Sequence, residues 1–284
     1  MQPDQRPWRS ALYIPGGKER ALDKARGLDC DAILFDLEDA VAVGEKASAR
    51  EMLCSALRTG GYGPRARIVR VNGLDTAWGA EDLAALKGLE FDGVLLPKVG
   101  HPDDIAAVRK ALPGVPVWAM MESPVAIANA YAIAAAPGLA GMVLGTNDLA
   151  KDLGCRHRAD RLPLMLALQT CLMAARGAGL ICLDGVFNAY LDEDGLEAEC
   201  QQGRDLGFDG KTLIHPAQLA IANRVFAPTE AEIDLARRQI AAWTEAEAKG
   251  QGIAVVDGRI VENLHIVTAR ALLAKADAIA GRTA

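Results

Sequence analysis

The sequence contains 284 residues, of which 51% are hydrophobic and 24% are charged, and its formal net charge is −6. This composition is typical of a globular protein, and the length suits either one large α/β barrel or two smaller domains. The acidic balance argues against a nucleic-acid-binding surface, which requires clustered Lys and Arg.

The cysteines and the N-terminal segment indicate whether the protein is disulfide-linked, zinc-binding, secreted or membrane-bound. Six cysteines are scattered without a CxxC pair or a neighbouring histidine cluster, so neither a disulfide framework nor a zinc site is indicated. Residues 1–10 are polar and lack the apolar region of a signal peptide, and no run of 18 apolar residues suggests a membrane span. We therefore expect a cytoplasmic protein without a membrane segment.

The first predicted strand covers residues 10–14 and ends in a Pro-Gly-Gly turn. A helix then begins at Lys18, with Arg20 also in its first turn. Backbone N–H groups at such a turn can bind phosphate with help from the helix dipole. No GxGxxG or P-loop pattern is present, so solvated basic residues remain the alternative.

Acidic residues follow the second predicted strand directly. Residues 32–35 form a buried strand, and Asp36, Glu38 and Asp39 come after it. Carboxylates this close raise one another's pKa unless a cation compensates. The third strand, residues 67–71, carries Arg70 at its end, where it could pair with these acids, hold a substrate carbonyl, or do both.

The fourth to sixth predicted strands end in further charged residues. Lys98 follows residues 93–96, Glu122 follows residues 117–121, and Asp148 follows residues 142–145. Residues 124–137 are predicted to form one helix that joins the last two strands. A strand–helix–strand unit of this length is a right-handed parallel crossover, so both carboxylates lie at the same edge of the sheet.

Two carboxylates at one edge suit Mg²⁺, for which Mn²⁺ is a possible substitute. The alternative is that Glu122 starts one helix and Asp148 caps the next. Lys98 could also suggest a Schiff-base aldolase, but dense acids around it would keep it protonated.

The remaining strands complete a count of eight. Residues 180–183 and 210–214 alternate with helices like the earlier strands, which predicts a (β/α)₈ TIM barrel, with a doubly wound sheet as the alternative. Residues 1–227 would form this barrel. Residues 228–284 contain a helix, a hairpin with an Asp-Gly turn and a last helix, which we interpret as a C-terminal lid or oligomerisation extension.

Seven short motifs, taken together and in order, carry a resemblance that extends from about residue 10 to residue 270. They are YIPG at 13–16, FDLEDAV at 35–41, RVN at 70–72, LPK at 96–98, MES at 121–123, GTNDL at 145–149 and GKTLIHP at 210–216. The chain thereby resembles the citrate lyase β-subunit-like branch of the HpcH/HpaI aldolase superfamily. Residues 258–265 are most similar to a side branch that includes a malyl-CoA thioesterase.

The resemblance implies specific roles. Glu122 and Asp148 match the two Mg²⁺ ligands, and Arg70 matches the residue that contacts the reacting oxygens. Asp36, Glu38 and Asp39 match the acidic strand end that supports the site. The segment near the CoA arm corresponds to Tyr13, Pro15, Gly16 and Lys18, and we add Asp39 and Lys98 to the predicted substrate contacts.

The C-terminal segment of the family reaches the active site of a neighbouring subunit, commonly in a trimer or hexamer, and offers a catalytic Asp. Here Glu262 stands at that position. Its extra methylene group exceeds the roughly 0.5 Å tolerance of a catalytic geometry and leaves the reaction type open.

The resemblance predicts a Mg²⁺-dependent carbon–carbon lyase that acts on a malyl-CoA or citramalyl-CoA type of thioester and gives an acyl-CoA and a 2-oxo acid. The first alternative is a malyl-CoA thioesterase that releases malate and CoA. The second is a phosphoenolpyruvate- or pyruvate-type aldolase without CoA, or a non-catalytic accessory subunit. The sequence leaves the acyl group open, because that choice depends on pocket volume.

Overall fold

Eight parallel strands close into a barrel in the computed structural model of the protein, which describes residues 6–283. Each strand pairs with the next in the chain, and the eighth pairs with the first. The strands are β1 (Ser10–Pro15), β2 (Ala32–Asp36), β3 (Ala66–Arg70), β4 (Gly93–Leu96), β5 (Val117–Met121), β6 (Leu139–Leu144), β7 (Ile181–Asp184) and β8 (Gly210–Leu213). The predicted (β/α)₈ barrel is confirmed.

Helices connect consecutive strands and surround them. Those of the barrel are α1 (Glu19–Ala25), α2 (Lys46–Thr59), α3 (Gly79–Ala85), α4 (Pro102–Ala111), α5 (Pro124–Ala128), α6 (Ala130–Ala134), α7 (Thr146–Leu153), α8 (Met165–Gly177), α9 (Glu193–Leu206) and α10 (Leu219–Val225). Short 3₁₀ turns precede three of them, at Val43–Glu45, Leu162–Leu164 and Pro216–Gln218.

The strands are apolar on both faces, as expected for a parallel sheet covered by helices. Alternate residues separate into two cores. Ala32 and Leu34 of β2 point into the barrel, where the tilted rings of Trp8 and Trp118 pack with centroids 4.7 Å apart. Ile33 and Phe35 point outward and pack with the helices.

One predicted helix is wrong. Residues 124–137 form two short helices, α5 and α6, with a break at Asn129. The Asn129 side chain donates to the backbone oxygen of Gly100 at 2.8 Å, so it is held by a neighbouring loop. An Asn that competes for backbone partners interrupts a helix readily.

Residues 227–283, together with residues 6–7, form a second unit. It contains α11 (Glu230–Ala248), β9 (Ala254–Val256), β10 (Arg259–Val261) and α12 (Asn263–Thr283). Asp257 and Gly258, at φ +50° and +72°, form the hairpin turn between the two strands. Ala246, Ala254, Val261 and Ile266 form the buried centre of this unit.

No helix within residues 6–283 has the length and apolar content needed to cross a membrane.

Candidate active site

The pleat of the strands decides which side chains reach the mouth of the barrel. Because alternate residues of a strand point to the same face, the inward row Ala66 and Ile68 continues to Arg70 at the end of β3. In the same way Asp36 continues the inward row of β2. Glu122 follows Trp118 and Met120 on β5 and so extends the inward row of that strand.

These residues surround a cavity of about 350 Å³ at the C-terminal ends of the strands. Ligands of barrel enzymes bind at this end. The lining residues include Tyr13, Pro15, Asp36, Asp39, Arg70, Met120, Glu122, Asn147, Asp148, Asn188 and Ile214.

Arg70 is held on several sides. Its Nε and Nη2 donate to the two carboxylate oxygens of Asp36 at 2.8 and 2.6 Å. Its Nη1 lies 2.8 Å from Glu38 Oε2 and donates to Asp39 Oδ2 at 3.3 Å. The guanidinium carbon lies 4.8 Å from the Tyr13 ring centroid. Arg70 is therefore an ion-pair partner and a preorganised positive charge at the cavity at the same time.

Burial has the largest effect on the pKa values of Glu38 and Tyr13, two of the residues beside Arg70. It raises the pKa of Glu38 to about 8, although Arg70 acts in the opposite direction. Glu38 Oε2 accepts no hydrogen bond from residues 6–283 despite its closeness to Arg70. Burial also raises the pKa of Tyr13, and its hydroxyl donates to Met120 Sδ at 3.6 Å.

Glu122 and Asp148 meet at one cation. Lys98 Nζ donates to Asp148 Oδ2 and lies 3.5 Å from Glu122 Oε1. The Lys98 backbone N–H also donates to Glu122 Oε1 at 2.7 Å. Gly145 is required here, because a Cβ at that position would lie 2.3 Å from Glu122 Cβ and 2.7 Å from Oε2.

Neither carboxylate has the helix-capping role considered as an alternative. Ser123 caps α5 by accepting from the Ala126 N–H at 3.2 Å, and Gly145 occupies the capping position of α7 without a side-chain bond. Asp148 lies in the first turn of α7 instead. Both side chains are thus available at the cavity.

The charges of this group are strongly coupled. Burial raises the pKa of Glu122, against the opposing backbone hydrogen bond and charge of Lys98. Burial would also raise the pKa of Asp148, but the hydrogen bond and charge of Lys98 lower it below its usual value. Burial lowers the pKa of Lys98, yet Asp148 and Glu122 raise it overall. Lys98 is therefore protonated, which disfavours a Schiff-base role.

Glu122 and Asp148 are the oxygen donors that the cavity offers to a metal such as Mg²⁺. Within residues 6–283 no group of three or more His, Cys, Asp and Glu side chains is arranged to hold a metal. Mg²⁺ commonly takes one or two carboxylates and completes its shell with water and substrate oxygens. Glu122, almost fully buried, and Asp148, 31% exposed, already share one cation through Lys98. The residues present fit Mg²⁺.

The predicted CoA segment has mixed surroundings. Tyr13 and Pro15 line the cavity. Gly16 packs on Leu37, and its N–H donates to the Asp36 backbone oxygen at 2.8 Å, so this group is not free to bind phosphate. Lys18 is exposed at the start of α1. Its phosphate contact stays a prediction.

Glu262 lies in the second unit, between β10 and α12, and its side chain is exposed. Its backbone N–H donates to His265 Nδ1 at 2.9 Å. The catalytic role of Glu262 stays a prediction.

Sequence reasoning missed two cavity residues that pair with each other. Asn147, in the first turn of α7, and Asn188, in the loop after β7, exchange side-chain amide hydrogen bonds of 3.2 and 2.8 Å. Asn147 belongs to the GTNDL motif at residues 145–149, in which only Asp148 was given a role. Asn188 lies four residues after the end of β7. Their positions after neighbouring strands were the available signal.

A second charged group lies on the outer face of β7 and β8, and we call it the outer cluster: Arg161, Asp184, Glu199 and Lys211. Fully buried Lys211 donates to Asp184 at 3.1 Å and to Glu199 at 2.6 Å. Arg161 Nη1 donates to both Asp184 oxygens at 2.7 Å. Lys211 is therefore a structural ion-pair partner.

Comparisons with known proteins find similar chains. The family model described as HpcH/HpaI aldolase/citrate lyase matches residues 9–216. A (3S)-malyl-CoA thioesterase of Cereibacter sphaeroides is 64% identical over 96% of each chain. A citrate lyase subunit beta of Leuconostoc mesenteroides subsp. cremoris is 36% identical over 97% of this chain and 95% of its own.

Among solved structures, the protein CitE of Mycobacterium tuberculosis, in complex with magnesium, acetoacetate and coenzyme A, superimposes with a TM-score of 0.82. Its sequence is 29% identical, and the match covers 96% of this chain and all of that chain.

Proposed function

The chain belongs to the HpcH/HpaI aldolase/citrate lyase family, and from that premise we propose that it is a Mg²⁺-dependent thioesterase for a short 3-hydroxyacyl-CoA of the malyl-CoA type. One observation carries this proposal. Identity to the malyl-CoA thioesterase is 64% over nearly the whole of both chains, against 36% for the citrate lyase subunit. The comparisons thus support the thioesterase better than the carbon–carbon lyase expected first.

The metal is proposed to bind at Glu122 and Asp148, two hard oxygen ligands at the cavity. Bound there, Mg²⁺ would supply Lewis-acid polarisation of substrate oxygens. The magnesium and coenzyme A in the related crystal structure support both the ion and the substrate class. Mn²⁺ is proposed as a functional substitute because it accepts the same oxygen ligands.

Arg70 is proposed to stabilise the negative charge that develops on the thioester oxygen. Asp36 holds its guanidinium with two hydrogen bonds, and the side chain lines the cavity. A donor fixed before the reaction costs no reorganisation when the oxyanion forms. Asp36 therefore acts as a positioning residue for Arg70.

Hydrolysis requires a water oxygen to bond to the thioester carbon while the carbon–sulfur bond breaks and the thiolate gains a proton. A group with a pKa near neutrality can exchange such protons efficiently. Glu38, with a pKa of about 8 and one oxygen 2.8 Å from Arg70 Nη1, is the proposed proton-holding residue. The lining residue Asp39 and the cation Lys98 are proposed to contact the anionic substrate.

Product identification with malyl-CoA and Mg²⁺ tests this function. We expect free CoA and malate, with no glyoxylate. Acetyl-CoA with glyoxylate would instead establish the lyase, which the match to citrate lyase subunits keeps as the second candidate. No product from malyl-CoA, citramalyl-CoA or citryl-CoA would contradict both proposals.

We also propose that residues 228–284 act as a lid on a neighbouring subunit of a homotrimer or hexamer, where Glu262 would reach the site. Exposed apolar side chains in this segment support an interface: Val255, Ile260, Leu264 and Val267. Light scattering of the purified protein tests the assembly, and a monomer would contradict it.

The six free cysteines support the proposed cytoplasmic location.

A further inference from the structure

Lys98 touches both proposed metal ligands through two different groups. Its side-chain ammonium donates to Asp148 and lies 3.5 Å from Glu122 Oε1. Its backbone N–H donates to the same Glu122 oxygen at 2.7 Å. The side-chain contact can be given up without loss of the backbone contact, because the Lys98 side chain is 48% exposed.

The backbone of Lys98 is unusual in a way that fixes this arrangement. Its φ is +54°, in the left-handed region that L-residues adopt at a cost. The residue follows directly on Pro97 after the end of β4. This conformation is compatible with the N–H contact to Glu122 and with the side-chain contact to Asp148, so both are built into the loop.

We propose that the Lys98 ammonium is a resident counter-ion of the Glu122–Asp148 pair, and that the metal must displace it to bind. The inference rests on the proposed metal site and adds a competitor to it. A divalent cation and an ammonium attract the same two carboxylates and repel each other, so both cannot hold the shared position. Lys98 would thereby set the metal affinity of the site while its backbone keeps Glu122 in place.

The variant that isolates the ammonium is Lys98→Met. Methionine keeps an unbranched side chain only one heavy atom shorter than that of lysine, and it keeps the backbone N–H, so the left-handed conformation costs about the same as for lysine. Only the charge and its hydrogen bond are lost. A half-exposed ion pair contributes modestly, so metal affinity should rise about two- to fivefold.

Lys151→Met is the matched control. Lys151 lies three residues after Asp148 on α7 and lowers the Asp148 pKa through its charge. Within residues 6–283 no hydrogen bond or ion pair joins it to either carboxylate. Its removal should change metal affinity less than about twofold, because an exposed charge is screened by solvent.

Binding of Mg²⁺ by calorimetry, and of Mn²⁺ by electron paramagnetic resonance, is measured in wild type, Lys98→Met, Lys151→Met and Glu122→Gln. Tighter binding in Lys98→Met alone supports the proposal. Unchanged or weaker binding in Lys98→Met overturns it, as does equal tightening in Lys151→Met. Wild-type affinity in Glu122→Gln would overturn the proposed metal site itself, and the two failures are therefore distinguishable.

Discussion

Two groups of charged side chains, one at the mouth of the barrel and the other on the outer face of β7 and β8, differ in a way that separates chemistry from structure. The outer cluster balances two acids with two cations. Its central members, Asp184 and Lys211, are fully buried. We call the other group the mouth cluster, and it sets five acids against two cations: Asp36, Glu38, Asp39, Glu122, Asp148, Arg70 and Lys98.

The presence of several charged residues together does not by itself mark a catalytic site. Asp36 and Arg70 of the mouth cluster and Asp184 of the outer cluster each end an apolar strand, but their opposite pleat positions point the first two into the cavity and Asp184 toward α9. Burial raises the Asp184 pKa, yet Lys211 and Arg161 lower it overall, so this carboxylate is satisfied within the chain. Glu38 and Glu122 keep raised pKa values despite nearby cations. An excess of buried acid is what a metal would compensate.

The largest effect on stability is expected from breaking the outer cluster. Asp184→Asn leaves two buried cations with too little negative charge, which should lower the free energy of unfolding by about 3–5 kcal/mol. Urea denaturation measures this. Arg224→Ala, which removes an exposed pair with Glu197 on the same side of the barrel, is the control and should change little. Equal losses in both variants would contradict the distinction.

The largest effect on catalysis is expected from Arg70→Met in the mouth cluster. Loss of the proposed oxyanion donor should lower kcat about 100- to 1,000-fold. Arg70→Lys should recover only part of this rate, because an ammonium cannot replace both hydrogen bonds to Asp36. Steady-state release of CoA measures both. A Lys variant as active as wild type would contradict the role of the paired geometry.

Glu38 tests whether the mouth cluster is strained by its own acids. Its folded-state pKa of about 8 lies above the ordinary value near 4.5, so the folded protein binds the extra proton and loses stability as pH rises between these values. The free energy of unfolding of Glu38→Gln, taken relative to that of wild type, should therefore rise by about 2–4 kcal/mol between pH 5 and pH 8.5.

Metal-free urea denaturation at both pH values measures this difference for Glu38→Gln. The matched control is Glu197→Gln, since Arg224 lowers the pKa of that exposed carboxyl. The control should show no gain of this kind. Parallel pH profiles for wild type and Glu38→Gln would contradict the raised pKa.

The smallest effect is expected from the asparagine pair at the cavity. Asn147→Ala removes two amide hydrogen bonds that join the first turn of α7 to the loop after β7. Each such bond contributes about 0.5–1.5 kcal/mol, so KM should rise a few-fold while kcat changes little. Initial-rate kinetics separate the two parameters. A large fall in kcat would instead make Asn147 part of the chemistry.

Much of the fold was predictable because apolar runs and strand-end polar residues are local signals. The alternation of eight strands and the inward rows that end in Asp36, Arg70 and Glu122 follow from pleat geometry. The break at Asn129 was not predictable, since it depends on the backbone oxygen of Gly100 in a neighbouring loop. Helix propensity of the surrounding alanines suggested a continuous helix instead.

The candidate site was predictable in its members more than in its contacts. Lys98 was expected beside acids. Its contacts with Glu122 and Asp148 occur in a left-handed backbone conformation, which the sequence Pro-Lys-Val does not predict. The buried role of Lys211 required the pairing of β1 with β8, which places it outward beside Ser10. The proposed reaction type comes from overall identity to a thioesterase, since the proposed metal ligands, Arg70 and the neighbouring acids suit either reaction.

The central claim is that chemistry belongs to the mouth cluster and depends on Glu122. The most direct measurement is Mg²⁺-dependent release of CoA from malyl-CoA by wild type and by Glu122→Gln, with the fold of each checked by circular dichroism. We expect the folded variant to lose its stimulation by Mg²⁺ and to release CoA at least about 100-fold more slowly than wild type. A folded Glu122→Gln variant with wild-type, Mg²⁺-stimulated CoA release would contradict it.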